Sequence, residues 1–494
     1  MYQQSHKGKK ICAEQIIIWP QNCHGTTFLM YLLHPIKLSH MDISELYRIF
    51  TEYPQVTTDS RDCPQRFYFL CAERRIVQRQ RLCSPRLLNR AVRMPLSTQK
   101  EFAVEGDSRY ILTDDCLTTL QQLANYHRRK LGTKIIGITG TNGKTTTKEL
   151  VATVLAEKYN VLYTQGNFNN HIGVPKTLLR LTAENNIAVI EMGANHPGEI
   201  KTLVNIVEPD YGIITNVGKA HLKGFGSFEG VIRTKGELYD YLREHNGKVF
   251  IHNDNEHLLK ISSGLSLIKY GTTDSDELSV CGEFLSCDPF LNFRWRHGKA
   301  QWNEVRTHMI GSYNIYNMLA AACIGLYFDV TEEQICHALA NYVPTNNRSE
   351  LEVTANNKLI IDAYNANPTS MEAALKNFKE IKADHKMAII GAMKELGEVS
   401  DEEHQKVADM LKALDIEQVW LVGDEFKSTD CPFRKFNNVE EVKQAIDENK
   451  PEGFCILIKG SNSTKALRAE DETLRSEKIK VKSEESISHC IKAR

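Results

Sequence analysis

Short apolar runs alternate with amphipathic segments along most of the chain. Beyond residue 130 the pattern predicts strands at 133–138, 160–163, 187–191 and 211–216, separated by helices at 146–158, 175–182 and 197–206. Strands that alternate with helices at this spacing favour a mainly parallel sheet with helices on both faces. An α/β unit is therefore expected here.

A second alternation begins near Leu359. It predicts strands at 359–362, 387–390, 418–422 and 454–459, and helices at 369–381, 401–413 and 439–447. This order is typical of a separate doubly wound domain of the Rossmann-like kind. Between the two units, residues 281–305 are predicted to form antiparallel strands and residues 314–326 a helix.

The segment MDISELYRIF, which starts at Met41, predicts an amphipathic helix. Its apolar face consists of Ile43, Leu46, Tyr47 and Phe50. We expect Met41 to be the true start and residues 1–40 to be a non-native leader. Three domains are then expected: a smaller N-terminal α/β domain over 41–130, a central domain over 131–345 and a C-terminal domain over 346–465.

Residues 66–100 break the pattern, with eight arginines, no lysine before Lys100 and almost no acid. One hypothesis is a basic arm for RNA or phospholipid. The other, which we favour, is a local frameshift. With permissible codons, residues 67–83 shifted by one nucleotide can give SIFFALKGESFNGNAFA, and residues 87–98 can give ALEQGCAYAVVD. Both have the pattern of an ordinary α/β domain, and residues 466–494 are expected to be a similarly non-native tail.

Composition excludes several classes of protein. At about 150 residues per domain, 494 residues suggest roughly three domains. The net charge of -1 argues against a nucleic-acid binder. No run approaches 18 apolar residues, so we expect no membrane insertion. The thirteen cysteines include no C-x-x-C pair, which favours free thiols in a reducing cytoplasm.

The strongest candidate site is a glycine-rich turn between a predicted strand and a predicted helix. Its residues are Gly140, Thr141, Asn142, Gly143, Lys144, Thr145 and Thr146. Such a turn exposes backbone N–H groups that bind phosphates at a helix N-terminus. Lys144 would reach the β- and γ-phosphates of ATP, and the Thr145 hydroxyl would bind Mg²⁺. Ile138 stands where the strict phosphate-loop pattern has its first glycine.

Several longer motifs follow this turn in a fixed order. They are TQGNFNNHIGVPKTLL (164–179), EMGANHPGEI (191–200), ITNVGKAHLKGFGS (214–227), TKGEL (234–238), GSYNIYNMLAA (311–321), RSELE (348–352) and DAYNANPTSMEAAL (362–375). With GTNGKTT they resemble the Mur ligases, which form amides of peptidoglycan precursors at the expense of ATP. EMGANHPGEI and DAYNANPTS resemble the branch that adds D-alanyl-D-alanine to UDP-N-acetylmuramoyl-tripeptide. The resemblance covers about 42–65 and 102–465 and implies a three-domain α/β fold and, in our expectation, a monomer.

The resemblance also implies roles at the ATP site. Lys144 and Mg²⁺ would neutralise the anionic ATP and substrate carboxylate. Glu191, expected at the end of a strand, would bind Mg²⁺ directly, and His221 a second Mg²⁺. Lys235, which its sequence context alone predicts to be a solvated helix residue, occupies the position of a carbamylated lysine that could bind Mg²⁺.

Further roles follow from the same resemblance. Asn317 would contact adenine, Asp362 the ribose hydroxyls, and Arg348 the γ-phosphate once the C-terminal domain closes. Asn167, Asn169 and Asn170 would orient the peptide substrate, with simple turn capping as the alternative. The segment Thr58, Asp59, Ser60 and Arg61 would hold the UDP-sugar. Ala392 departs from relatives, which often have an acid in the GAMKELG segment.

Two alternatives to the D-alanyl-D-alanine ligase remain open. One is another ligase of the same superfamily, of the folylpolyglutamate or diamino-acid-adding type. DAYNANPTS argues against the second of these, which carry a His-rich turn there. The other is a catalytically defective nucleotide-binding product, which the unusual segments at 66–100 and 466–494 would favour. Substrate-dependent release of ADP distinguishes these hypotheses.

Overall fold

The computed structural model describes residues 42–52, 54–57, 68–69, 94–97, 110–345, 348–414 and 416–461, all within one compact unit, His40–Arg494. Our predictions for 1–40 and 466–494, for Thr58, Asp59, Ser60 and Arg61, and for most of 66–100 lie outside these residues.

The N-terminal part begins with the predicted amphipathic helix. Its elements are α1 (Ile43–Glu52), β1 (Val56–Thr57), β2 (Tyr68–Phe69), β3 (Met94–Ser97), β4 (Tyr110–Leu112) and α2 (Cys116–Leu131). Strand β1 pairs with β2 and β3 with β4, both in parallel. Leu46, Ile49 and Phe50 of α1 are buried, and the Tyr47 hydroxyl lies 3.2 Å from Nδ1 of His127 on α2. The predicted helix is confirmed.

The central part is built around a sheet with the described strand order β13-β12-β11-β10-β9-β8-β5-β7-β6. Its strands are β5 (Lys134–Thr139), β6 (Val161–Tyr163), β7 (Ile187–Glu191), β8 (Tyr211–Ile214), β9 (Lys248–His252), β10 (Ser266–Gly271), β11 (Val280–Cys287), β12 (Phe290–His297) and β13 (Asn303–Ile310). Neighbouring strands in this order are parallel from β6 through to β11. Strand β12 pairs with β11 and with β13 in antiparallel orientation, as predicted.

Helices cover both faces of this sheet. They are α3 (Lys144–Ala156), α4 (Gly173–Leu178), α5 (Glu199–Val207), α6 (Leu222–Phe225), α7 (Phe228–Glu244), α8 (Glu256–Ile261), α9 (Ile315–Tyr327) and α10 (Glu332–Asn341). Because both faces of β7 are covered, all five of its residues are buried, which explains its continuous apolar run. Helix α3 begins and ends two residues before the predicted 146–158.

The C-terminal part is a second sheet with the order β14-β15-β19-β16-β17-β18. Its elements are β14 (Glu350–Val353), β15 (Lys358–Asp362), α11 (Pro368–Glu380), β16 (His385–Gly391), α12 (Ser400–Lys412), β17 (Gln418–Val422), β18 (Arg434–Phe436), α13 (Val439–Glu448) and β19 (Phe454–Lys459). The pairs are parallel except β14 with β15. The doubly wound prediction is confirmed, with β14 and β18 added at the edges.

Candidate active site

Two glycines give the turn after β5 its shape. Gly140 has φ +143°, and a Cβ there would lie 2.1 Å from Oγ1 of Thr215, so no side chain fits. Gly143, at the N-cap of α3, has φ +77°, which glycine adopts without strain. The segment after β8 holds the turn, because Asn216 accepts hydrogen bonds from the backbone N–H groups of Thr141 and Asn142, each at 2.9 Å. These two hydrogen bonds fix the turn at the N-terminus of α3.

Lys144 is the cation of this turn. Its Nζ donates to the carbonyl oxygens of Gly140 at 2.8 Å and Thr141 at 2.9 Å. Desolvation, together with the nearby charge of Arg348, lowers the pKa of Lys144 to about 8, against the opposing effect of Glu191. An arriving polyanion would favour the charged ammonium, so the lysine is suited to bind phosphate.

Glu191 ends β7 beside the same turn and is 1% exposed. Its carboxylate accepts hydrogen bonds from Oγ1 of Thr145 at 2.9 Å and from Nδ2 of Asn169 at 2.8 Å. A carboxylate next to a hydroxyl offers the hard oxygen ligands that suit Mg²⁺. The described residues contain no group of three or more His, Cys, Asp or Glu side chains that could hold a metal.

His221 and Lys235 are the other two side chains predicted to bind Mg²⁺. His221 precedes α6, and its Nδ1 pairs with the carboxylate of Glu395 from the C-terminal sheet. Burial lowers the pKa of His221, an effect that Glu395 opposes. Lys235 on α7 is 2% exposed, so its interpretation as a solvated residue is wrong. Its Nζ donates to the carbonyl of Ala194 at 3.3 Å.

The remaining residues predicted for ATP approach from α9 and the C-terminal sheet. Asn317 donates from Nδ2 to Oδ1 of Asn314 at 2.8 Å and accepts from Oγ1 of Thr147 at 3.0 Å. The guanidinium of Arg348 lies 3.8 Å from the ring centroid of Tyr364. Asp362 ends β15, the second strand of its sheet and not the first as predicted, because β14 precedes it.

One cleft of about 920 Å³ brings most of these side chains together. The predicted residues that line it are Thr141, Asn142, Gly143, Lys144, Thr145, Thr146, Asn167, Asn169, Asn170, Glu191, His221, Asn317, Arg348 and Asp362. Gly140 lies beneath the turn against Thr215, and Lys235 reaches the lining through Ala194. Asn170 accepts from the backbone N–H groups of Ile172 and Gly173, the turn-capping role.

Comparisons with known proteins fit this geometry. The family models named Mur ligase middle domain and Mur ligase, glutamate ligase domain match residues 138–325 and 347–462. A Bacillus subtilis (strain 168) relative named UDP-N-acetylmuramoyl-tripeptide--D-alanyl-D-alanine ligase is 35% identical over 366 residues, 72% of this chain and 79% of the relative. This chain belongs to the Mur ligase family.

Other relatives have the same name or fold. The Escherichia coli (strain K12) ligase of that name is 35% identical over 370 residues, 72% of this chain and 80% of its own. A crystal structure of MurF from Acinetobacter baumannii is 27% identical, has a TM-score of 0.74, and covers 85% of this chain and 93% of its own. A Thermotoga maritima MurF ligase, solved in complex with ADP, shares the fold at 24% identity and TM-score 0.74, over 84% and 96% of the two chains.

Sequence reasoning missed several residues of this Mur ligase site. Lys148 is fully buried, and its Nζ lies 4.0 Å from the Glu191 carboxylate. Lys459, 1% exposed, pairs with Asp362 at 2.7 Å. Asn367 donates to Oδ1 of Asn142 at 2.7 Å and so joins the turn to the C-terminal sheet. A single lysine within a helix or a strand gives no sequence signal of burial, although the asparagine lies in a motif already noted.

Two further predictions concern surroundings of the site in this Mur ligase chain. Ala392 is fully buried, and a Cβ added at Gly423 would lie 2.7 Å from the Cβ of Ala392. The Ala392 side chain therefore packs inside the C-terminal sheet. Described cysteines, among them Cys116, Cys281 and Cys323, are free thiols, as expected.

Within the described part, no helix is both long and apolar enough to cross a membrane.

Proposed function

We propose that this chain joins D-alanyl-D-alanine to UDP-N-acetylmuramoyl-tripeptide by an amide bond, with ATP converted to ADP and phosphate. The observation that carries the proposal is the placement of Lys144, Thr145 and Glu191 around a preformed phosphate turn, in a cleft that residues of the C-terminal sheet also line. Relatives at 35% identity bear the name of this reaction. In a cell the reaction belongs to peptidoglycan precursor synthesis, and thus to cell shape and division, in the cytoplasm.

The reaction needs a carboxylate made electrophilic. The substrate carboxylate attacks the γ-phosphorus of ATP, the bond to the β,γ-bridging oxygen breaks, and ADP leaves an acyl phosphate. The amine of D-alanyl-D-alanine then attacks the acyl carbon, phosphate departs and the amine loses a proton. Lys144 and the backbone N–H groups of the turn stabilise the charge that moves to the β-phosphate, while Arg348 is placed for the γ-phosphate.

Mg²⁺ would be held by Glu191 and the Thr145 hydroxyl, with His221 and a carbamylated Lys235 as ligands further along the cleft. When bound, it supplies a positive charge that offsets the repulsion between ATP and the substrate carboxylate. Asn169 orients Glu191 through the hydrogen bond from its amide. Asn317 would face adenine, Asp362 the ribose and Asn167 the peptide. Thr58, Asp59, Ser60 and Arg61 would hold the UDP-sugar.

We also propose which ligand groups each of the three parts of the chain binds. Residues 41–130 would bind the UDP-sugar, residues 131–345 the phosphates of ATP, and residues 346–465 the ribose and the incoming amine. The chain would act as a monomer, because both sheets that line the cleft belong to one chain.

The test is a matched set of amine substrates. The purified chain is incubated with ATP, Mg²⁺ and saturating UDP-N-acetylmuramoyl-tripeptide, together with D-alanyl-D-alanine, diaminopimelate or glutamate. We expect ADP and a UDP-N-acetylmuramoyl-pentapeptide, identified by mass spectrometry, with D-alanyl-D-alanine alone. Product with another amine would support a different ligase of the family, and ATP binding without any ADP release would support the defective product.

A further inference from the structure

A segment of the C-terminal part contacts the histidine of the central part. It follows β16 and contains Glu395, whose carboxylate pairs with Nδ1 of His221. The carbonyl oxygen of Glu395 also accepts a hydrogen bond from the backbone N–H of Lys223 at 3.3 Å. Side chain and backbone of one residue therefore hold the same turn of the opposite domain.

The pairing selects one form of the His221 ring. When a carboxylate accepts a hydrogen bond from Nδ1, the proton of the neutral ring resides there and Nε2 carries the lone pair. The ring also packs edge-on against Phe225, with centroids 6.3 Å apart. His221 has φ +51° and Glu395 φ +63°. Both lie in the left-handed region, which few residues other than glycine adopt.

A buried histidine supports the segment that carries Glu395. His404 on α12 is fully buried, and its Nε2 accepts from the backbone N–H of Met393 at 3.0 Å. Its Nδ1 donates to the carbonyl of Ser400 at 2.7 Å. The ring of Phe426 closes the site edge-on, with centroids 4.7 Å apart and planes at 90°. Both ring nitrogens are used, so Met393, two residues before Glu395, is fixed.

We propose that Glu395 is a positioning residue of the C-terminal part, which fixes the ring of His221 and leaves Nε2 to accept or to ligate. The inference rests on the proposed function, because the orientation of the His221 ring affects catalysis only if the cleft that it lines binds ATP. In metal sites, carboxylates that orient a histidine change affinity or activity about 10- to 100-fold. The pair is partly exposed, 29% for His221 and 55% for Glu395, so its contribution to folding is small.

The chain offers a matched control. Lys219 pairs across the same domain boundary with Glu403 at 3.3 Å. Lys219→Gln thus removes a cross-domain ion pair while His221 and Glu395 are both kept. Glu395→Ala removes the acceptor, and Glu395→Gln keeps a neutral oxygen that can still accept from Nδ1.

The experiment measures the ring directly. The ligand-free protein is labelled with ¹⁵N-histidine, the His221 signals are identified by their loss in His221→Gln, and the tautomer is determined by long-range ¹H–¹⁵N NMR. We expect the Nδ1–H form in wild type, Lys219→Gln and Glu395→Gln, and its loss in Glu395→Ala. In the ligase assay, kcat of Glu395→Ala should fall about 10- to 100-fold with KM for ATP little changed, and Glu395→Gln should recover part of it.

Two results would overturn the inference. One is an unchanged His221 tautomer in Glu395→Ala. The other is an equal loss of kcat in Lys219→Gln, because then any lost domain contact has the same effect. If wild type forms no pentapeptide, the proposed function fails, while the NMR comparison still decides the role of Glu395.

Discussion

Replacing Lys235 separates the contribution of a buried lysine to stability from its contribution to activity. Its Nζ has the Ala194 carbonyl at 3.3 Å and the Phe225 ring centroid at 5.2 Å, and no ion pair of Lys235 is found among the described residues. Desolvation, with the charge of Lys144, holds the pKa of Lys235 well below its usual 10.5. The folded protein therefore favours the neutral form of the Lys235 amine over its protonated form.

The sign of the stability effect follows from proton binding. Between the lowered pKa of the folded state and 10.5, the unfolded chain binds more protons, so stability rises with pH through this window. Below the window the penalty is complete, at about 1.4 kcal/mol for each unit of lowering. Lys235→Met keeps a long side chain without the amine. We expect it to raise the free energy of unfolding at pH 7 by at least about 1.4 kcal/mol in CO₂-free buffer.

Activity should change in the opposite direction. The neutral amine is the form that reacts with CO₂, giving a carbamate and a released proton. Loss of this anion should lower kcat by about 10²-fold in both Lys235→Met and Lys235→Ala. Added acetate should restore part of the activity of Lys235→Ala, where the side chain leaves space, but not that of Lys235→Met, where the space is filled.

Urea unfolding tests the predicted change in stability, and ADP release tests the predicted change in activity, on the same preparations. A Lys235→Met protein less stable than wild type in CO₂-free buffer would refute the reasoning about burial. Full activity of Lys235→Ala without acetate would refute the carbamate role.

Three other perturbations have defined outcomes. Lys144→Ala should reduce kcat by at least about 10²-fold at saturating ATP, because it removes the ammonium that the phosphate turn holds; near-native turnover would show that the turn does not bind the reacting phosphates. Burial lowers the pKa of His404 below its usual 6.5. The charge of Lys394 also lowers this pKa, whereas the charges of Glu425 and Asp401 raise it. The unfolded chain then binds more protons below about pH 6.5, so stability should fall with acid, and His404→Gln should show a smaller fall between pH 7 and 5 in urea titrations; an unchanged pH slope would contradict this. Calorimetry should show that restoring the shifted frames within 66–100 strengthens binding of UDP-N-acetylmuramoyl-tripeptide and leaves ATP affinity unchanged; equal affinity for the UDP substrate would reject the frameshift.

The fold was predictable where one physical cause dominates the sequence pattern. Strand β7 has the predicted bounds because both faces are buried, which demands an uninterrupted apolar run. Strand β14 was missed, since its four residues, ELEV, are all half-buried at a sheet edge and lack such a run. The start of α3 was placed two residues late, because the helix begins at Lys144, a residue assigned only to phosphate.

Most residues that line the cleft were predictable from the sequence, but their hydrogen-bond partners were not. Motifs singled out Glu191 and His221, whereas the contacts of Glu191 with Asn169 and of His221 with Glu395 depend on how separate strands meet. The burial of Lys235 could not be deduced from its helix, since it results from packing against the Ala194 segment and Phe225. Long-range contacts of this kind leave no periodic signal in the chain.

The acyl phosphate is the central claim, and an oxygen label tests it most directly. UDP-N-acetylmuramoyl-tripeptide is prepared with ¹⁸O in both oxygens of its terminal carboxylate and is converted at saturating concentration with ATP, Mg²⁺ and D-alanyl-D-alanine. If the carboxylate attacks the γ-phosphorus, one ¹⁸O must leave with inorganic phosphate and the other must remain in the new amide, which mass spectrometry of both products detects. Phosphate without ¹⁸O, released alongside the pentapeptide, would contradict the mechanism.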